Sequence, residues 1–159
     1  MNGSMGNMAF GASETADSEH IMSLKTVQSM LPLVQHIAND IVQCQVVVDK
    51  AQPEQDRLES LKRSLAWPAR QRRYELFEQM NAASQKIAAA AEELGELGVV
   101  LLDPRTGRVG FPTLVNNRRA FFSWHPGEEG LNSWHFAEES VFRPIPQAWL
   151  KELSLVGKE

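Results

Sequence analysis

Four residues toward the carboxy-terminal end have the chemistry of a site: His125, Glu128, His135 and Arg143, with Ser123 nearby. Imidazole and carboxylate groups suit zinc and similar ions. The same pair can act as a general acid and base, and the cluster as a whole could take a small ligand or an anion. By the strand pattern of this segment, His125 and His135 fall on adjoining strands. Register decides whether they meet, because a slip of one residue sends a side chain to the opposite face. Their spacing matches no recognised metal motif. The plainer reading places Trp124 and Trp134 in the core, has His135 hydrogen-bond locally and gives Glu128 a turn to shape. That reading is preferred, with ligand binding second and catalysis third.

A second cluster is basic: Lys62, Arg63, Arg70, Arg72 and Arg73, with Trp67 among them. Lys62 and Arg63 near a helix end complement its dipole, whereas Arg70, Arg72 and Arg73 in the first turns of the next helix oppose it. An acidic partner or a phosphate backbone would answer that penalty. Pairing with Asp56, Glu59, Glu75 or Glu78 would answer it more simply and is preferred, because the chain carries a formal charge of −4. Cys44, the single cysteine, sits in mid-helix as a small buried hydrophobe, with His36 two turns away. No phosphate-cradling glycine loop, paired CxxC site or HExxH motif occurs. No cofactor is expected, and the balance leans away from an enzyme.

These residues need elements to position them. The chain has 159 residues, 43% hydrophobic and 23% charged, which fits one ordinary globular unit and argues against wholesale disorder. The acidic balance excludes a global pull toward nucleic acid or anionic membrane. No apolar run approaches the roughly 18 residues of a membrane span. With one cysteine no internal disulfide can form, which suits the cytoplasm. Residues 1–21 begin MNGSMGNMAFGASETADSEH. That composition reads as a disordered tail without the order of a secretory signal.

From Ser23, a plausible N-cap, Leu24, Val27, Leu31, Val34, Ala38, Ile41 and Val48 recur at helical spacing, with Gln45 interrupting. Pro32 predicts a short helix to about Met30, a bend, and a longer helix to about Lys50. Pro53 then opens a charged helix over Glu54 to Leu65, with Leu58, Leu61 and Leu65 on one side. Trp67-Pro68 breaks it. A long helix follows from about Ala69 to Leu94. Its expected stripe, facing the first helix antiparallel, is Tyr74, Phe77, Met80, Asn81, Ser84, Ile87, Ala91 and Leu94. Gly95 and Gly98 stop it.

Past Gly98 the side-chain period changes to two. Val99–Leu102, Arg108–Phe111, Arg119–Trp124 and Asn132–Phe136 read as strands. They are separated by turns at 103–107, 116–117 and 126–130. Ala120, Phe122 and Trp124 share one face; Phe121, Ser123 and His125 share the other. A short helix from about Gln147 to Leu153 should cover part of the sheet. The fold class is α+β. A helical hairpin over residues 22–97 is followed by an antiparallel four-stranded meander and a short helix over 98–159, all packed as one domain.

The second half also carries a connected string. It runs Leu94-Gly95-Glu96-Leu97-Gly98-Val99-Val100-Leu101-Leu102-Asp103, then Gly107-Arg108-Val109-Gly110-Phe111-Pro112. Ala120-Phe121-Phe122-Ser123-Trp124-His125-Pro126-Gly127-Glu128 and Ser133-Trp134-His135 follow, with Phe142-Arg143-Pro144-Ile145 at the end. It resembles the bacterial and archaeal family called domain of unknown function 2203. That family shows an LGV-x-LKD segment, a GLVDFP strand, a CWR-x-GE hairpin, a WHE strand and a closing GR-x-P. Leu31-Pro32-Leu33-Val34 resembles its opening helix, and the likeness spans most of residues 22–146. Departures fall at polar positions. The family's Asp is Gly110 here, its Cys and Arg are Ser123 and His125, and its Glu is Phe136. The segment before Arg143 is about one residue shorter. A polar site shared by the family would be altered in this member, and the resemblance implies no reaction.

A hairpin with one apolar stripe is marginal alone. Either the sheet packs on it or two chains pair their hairpins into a four-helix bundle. The reading that follows is a non-enzymatic interaction or self-association module, coiled-coil-like and homodimeric through its helices. Its alternative is a small-molecule or metal-binding protein using the His/Glu cluster, and nucleic-acid binding through Arg70–Arg73 is the weakest reading.

Overall fold

A computed structural model describes residues 21–151. Residues 1–20 of the expected tail, and the end of the closing helix, lie outside the described residues. Helix α1 spans Leu24–Ser60 and α2 spans Trp67–Glu96. Strands follow at Val100–Asp103 (β1), Arg108–Val115 (β2), Arg118–Trp124 (β3), Ser133–Phe136 (β4) and Arg143–Pro144 (β5). The sheet is antiparallel throughout in the order β1-β2-β3-β4-β5. It is a meander with one strand more than the four expected. The extra strand is a two-residue edge in which Pro144 and Arg143 pair with Ser133 and Trp134. So short a piece leaves no alternation to read.

The expected division of the first helical segment is overturned. α1 is a single helix of 37 residues, about 55 Å long, with both Pro32 and Pro53 inside it. A proline in a helix interior costs about 3 kcal/mol. Around Pro32, five side chains are buried: Leu31, Val34, Ile37, Ala38 and Ile41. Each large one contributes roughly 1.5–3 kcal/mol on burial, so packing outweighs the proline. Pro53, also exposed, is carried between buried Ala51 and Leu58. Ser23 is the N-cap as expected, its Oγ accepting from the Thr26 amide at 3.2 Å.

The hairpin reverses through residues 61–66, and the extended Ala66 launches α2. Pro68 occupies the first turn, where its missing amide loses nothing. At the far end Gly98 takes φ +81°, and the Val99 amide donates to the Leu94 carbonyl at 2.9 Å. That closes α2 in a Schellman motif and aims the chain into β1.

Helices and sheet share one main core. Val27, Val34, Ile41 and Leu94 of the helices meet Val109, Phe111, Phe122, Trp124 and Trp134 of the inner sheet face. Trp149 of the closing helix, which starts at residue 147, packs edge-on against Phe122 and beside Trp134. A second, small core of Ala51, Leu58 and Leu76 stands apart at the hairpin tip. The hairpin therefore extends past the sheet as an arm with its own packing.

Candidate functional site

The residues of the sheet cluster are dispersed among the turns and the two faces of the sheet. In the β3–β4 register Phe121 stands opposite His135 and Ser123 opposite Ser133. His125 lies past the end of β3, four residues beyond Phe121, on the order of 13 Å along the strand from His135. His125 and Glu128 do meet, with Nε2 3.4 Å from Oε1. Their business is the turn. The Glu128 carboxylate accepts from the His125 amide at 3.1 Å and from Asn132 Nδ2 at 3.3 Å, and the Glu128 carbonyl accepts from Trp124 Nε1 at 3.2 Å.

His135 is buried on the outer sheet face, between Phe121 and Phe142. Its Nδ1 donates to the Phe136 carbonyl at 3.0 Å, and its buried Nε2 has no hydrogen-bond partner. Arg143 leans over Trp134 and Phe136 and pairs with Glu139 at 3.1 Å. Its register partner is Trp134, whose side chain points to the opposite face from that of His135. Among the described residues no group of three His, Cys, Asp or Glu side chains is placed to hold a metal ion. Gly110 and Ser123, two of the positions that depart from the family pattern, are direct partners across β2 and β3. The ring of Phe121 fills the space a side chain at 110 would take, with its nearest atom 2.9 Å from an added Cβ.

The basic cluster is largely neutralised by α1. Arg72 donates to both carboxylate oxygens of Glu54 at 3.0–3.3 Å, and Glu75 lies 3.9 Å away. Arg73 reaches Glu59 at 2.6 Å, and Lys62 reaches the same carboxylate at 3.0 Å. These bonds hold the Glu54 carboxyl below the ordinary glutamate range through Arg72. Glu59 is lowered through Arg73 and then Lys62, and the Arg72 guanidinium is raised by Glu54. Arg70 instead lies 5.9 Å from the Trp67 ring. The pairs across the hairpin run from α1 to α2, so they cross-link the arm. Cys44 is half-buried rather than buried as expected, and lines an open groove between the helices beside Asp40 and Lys86.

The largest departure concerns the face of α2. Of the expected stripe, Met80, Ile87 and Leu94 do pack inward, whereas Tyr74, Phe77, Asn81 and Ser84 are exposed. The helix carries two stripes at alternating three- and four-residue spacing. Leu76, Met80, Ala83, Ile87, Ala90 and Leu94 pack inward. Trp67, Arg70, Tyr74, Phe77, Asn81, Ser84 and Ala88 are exposed, and the run ends at half-buried Ala91. Trp67, Tyr74 and Phe77 are 67%, 64% and 54% exposed. The two stripes lie roughly 110° apart around the helix axis. A groove of about 580 Å³ borders Tyr74 and Phe77, walled by Gln52, Gln55, Asp56 and Glu59 of α1. The buried Oε1 of Gln55 has no hydrogen-bond partner there. Period alone does not distinguish the stripes. Ala83 and Ala90 let α1 approach closely, and close approach selects the inner one.

No described helix is long and apolar enough to cross a membrane. No curated protein and no solved structure matches the chain. The family description "Uncharacterized conserved protein (DUF2203)" matches residues 20–143, from the start of the hairpin through the strands to Arg143. That span covers the hairpin and the meander, so the chain belongs to this uncharacterised conserved family.

Proposed function

We propose that the protein is a non-enzymatic interaction module whose helical arm self-associates. The observation behind this reading is the exposed aromatic run Trp67, Tyr74 and Phe77 on a helix already packed on its other side. Such a ring covers on the order of 150–250 Å² when fully buried, and more than half of each is uncovered here; exposed apolar patches mark interaction surfaces. Homodimerisation through the helices would cover it, and a cytoplasmic setting suits a chain with one free thiol. The double variant Tyr74→Ser/Phe77→Ser tests the reading, since neither ring supports the fold. Size-exclusion chromatography with mass determination should show loss of the dimer with helix content unchanged. An unchanged dimer would remove this face from the proposal.

The alternative is small-molecule or metal binding at one of two separate places, the contact between His125 and Glu128 or the unpartnered Nε2 of His135. The metal version predicts stoichiometric metal in the purified protein, lost in His125→Ala if the turn holds it and in His135→Ala if the outer sheet face does. Metal-free protein that gains no thermal stability from divalent ions would eliminate the metal version.

A further inference from the structure

The exposed stripe of α2 has an internal symmetry of size. Trp67, Arg70, Tyr74 and Phe77 stand twelve, nine, five and two residues before Gln79. Ala91, Ala88, Ser84 and Asn81 stand the same distances after it. Every large side chain is mirrored by a small one. In heptad terms the large residues alternate a, d, a, d, and their mirror partners read d, a, d, a. Facing layers of an antiparallel helix pair join an a position to a d position, so the order of sizes and the heptad phase agree. A parallel pair would instead set Trp67 on Trp67 and Ala91 on Ala91, crowding one end and leaving a void at the other.

From this we infer that a second copy of the chain docks antiparallel on α2, with a two-fold axis crossing the seam at the level of Gln79. The inference rests on the self-association reading above and adds its geometry. Trp67 packs on Ala91 of the partner subunit, Arg70 on Ala88 of the partner subunit, Tyr74 on Ser84 of the partner subunit, and Phe77 on Asn81 of the partner subunit. The interface is isologous, the commonest way two identical chains close on each other. Large side chains seated on small ones interdigitate and let the helix backbones come close. Asn81, polar at an a position, fixes register at a cost in stability. The groove that holds the unpartnered Gln55 lies on the same side of α2 as the seam, so a helix seated there covers it.

Cross-linking tests the arrangement on the full chain in a Cys44→Ser background. With Tyr74→Cys or Ser84→Cys alone, the two introduced thiols lie ten residues apart along the axis, about 15 Å, too far for a disulfide. Together in one chain, Tyr74→Cys/Ser84→Cys should give a covalent dimer on mild oxidation, and each single variant should not. A parallel pair would reverse the result, with each single variant cross-linking to itself. Self cross-linking by the single variants, or a dimer in which no combination cross-links, overturns the antiparallel register while leaving self-association standing. A monomeric particle overturns both and assigns the stripe to a different protein. A size exchange gives a second readout. Ser84→Tyr should abolish the dimer and the double exchange Tyr74→Ser/Ser84→Tyr should restore it; failure of the exchange to restore it contradicts the pairing.

Discussion

Gly107 ties the sheet to α1. It turns the chain between β1 and β2 at φ +75°, and an added Cβ would lie 2.6 Å from Val42 of α1 and 2.9 Å from Pro126. Its amide donates to the Asp103 carbonyl at 2.9 Å, and Arg105 of the same turn reaches Asp49 of α1 at 3.1 Å. Gly107→Ala therefore combines backbone strain with a collision, and should lower unfolding stability by about 2–4 kcal/mol in a denaturant titration. Stability unchanged within about 0.5 kcal/mol would contradict the close approach. Gly110→Ala meets only the movable Phe121 ring and the Leu102 methyl, so the cost should be smaller, about 1–2 kcal/mol. The turns were legible in the sequence because Asp-Pro-x-x-Gly and Asn-Asn state their backbone needs locally; Asn116 and Asn117 do take positive φ. The placement of His125 and His135 was not legible. It depends on the register of β3 against β4, which sets His135 opposite Phe121, four residues short of His125, and the long connection between the strands does not state that register locally.

At the scale of elements, the two prolines of α1 carry the lesson. Local chemistry predicts breaks at Pro32 and Pro53, and burial on both sides of each overrides it. Pro32 is exposed and buries nothing itself. Pro32→Ala should restore the missing helical hydrogen bond and raise stability by about 1–3 kcal/mol, read as a higher denaturation midpoint. A fall would mean the core depends on the bend that proline imposes. The hairpin tip is held differently, by Glu54 with Arg72 and Glu59 with Arg73 and Lys62. Both carboxyls are lowered by these partners. A carboxylate held ionised by the fold binds fewer protons folded than unfolded. Its support is complete above the ordinary glutamate range and fades as pH falls through the depressed value. The protection of amides in residues 54–73, relative to their intrinsic exchange rate at each pH, should therefore fall on acidification below about pH 4, and at neutral pH in high salt, before the main core loosens. Uniform protection across both cores down to global unfolding would contradict this. Alternation is a local signal and marks β1, β3 and β4 closely; β2 is legible only to Phe111, because Pro112 argues against a strand that in fact runs on to Val115. The α2 face is legible only in part, through Met80, Ile87 and Leu94, because two stripes of one helix satisfy the same period and only the approach of α1 separates them.

The whole molecule divides its labour along its length. The base, where helices and sheet share one core, is closed by Trp149 and sealed at Gly98. The arm projects beyond the sheet with a small core and an uncovered aromatic run. The α+β architecture and the family were both legible in the sequence, since they rest on period and on a motif string. An interface on the arm would be a property of two surfaces and so lies beyond the chain's own pattern of burial. Sedimentation equilibrium of the unaltered protein across the micromolar range decides whether the arm self-associates. A particle of twice the chain mass that dissociates on dilution is expected; a single-chain mass at every concentration would contradict self-association.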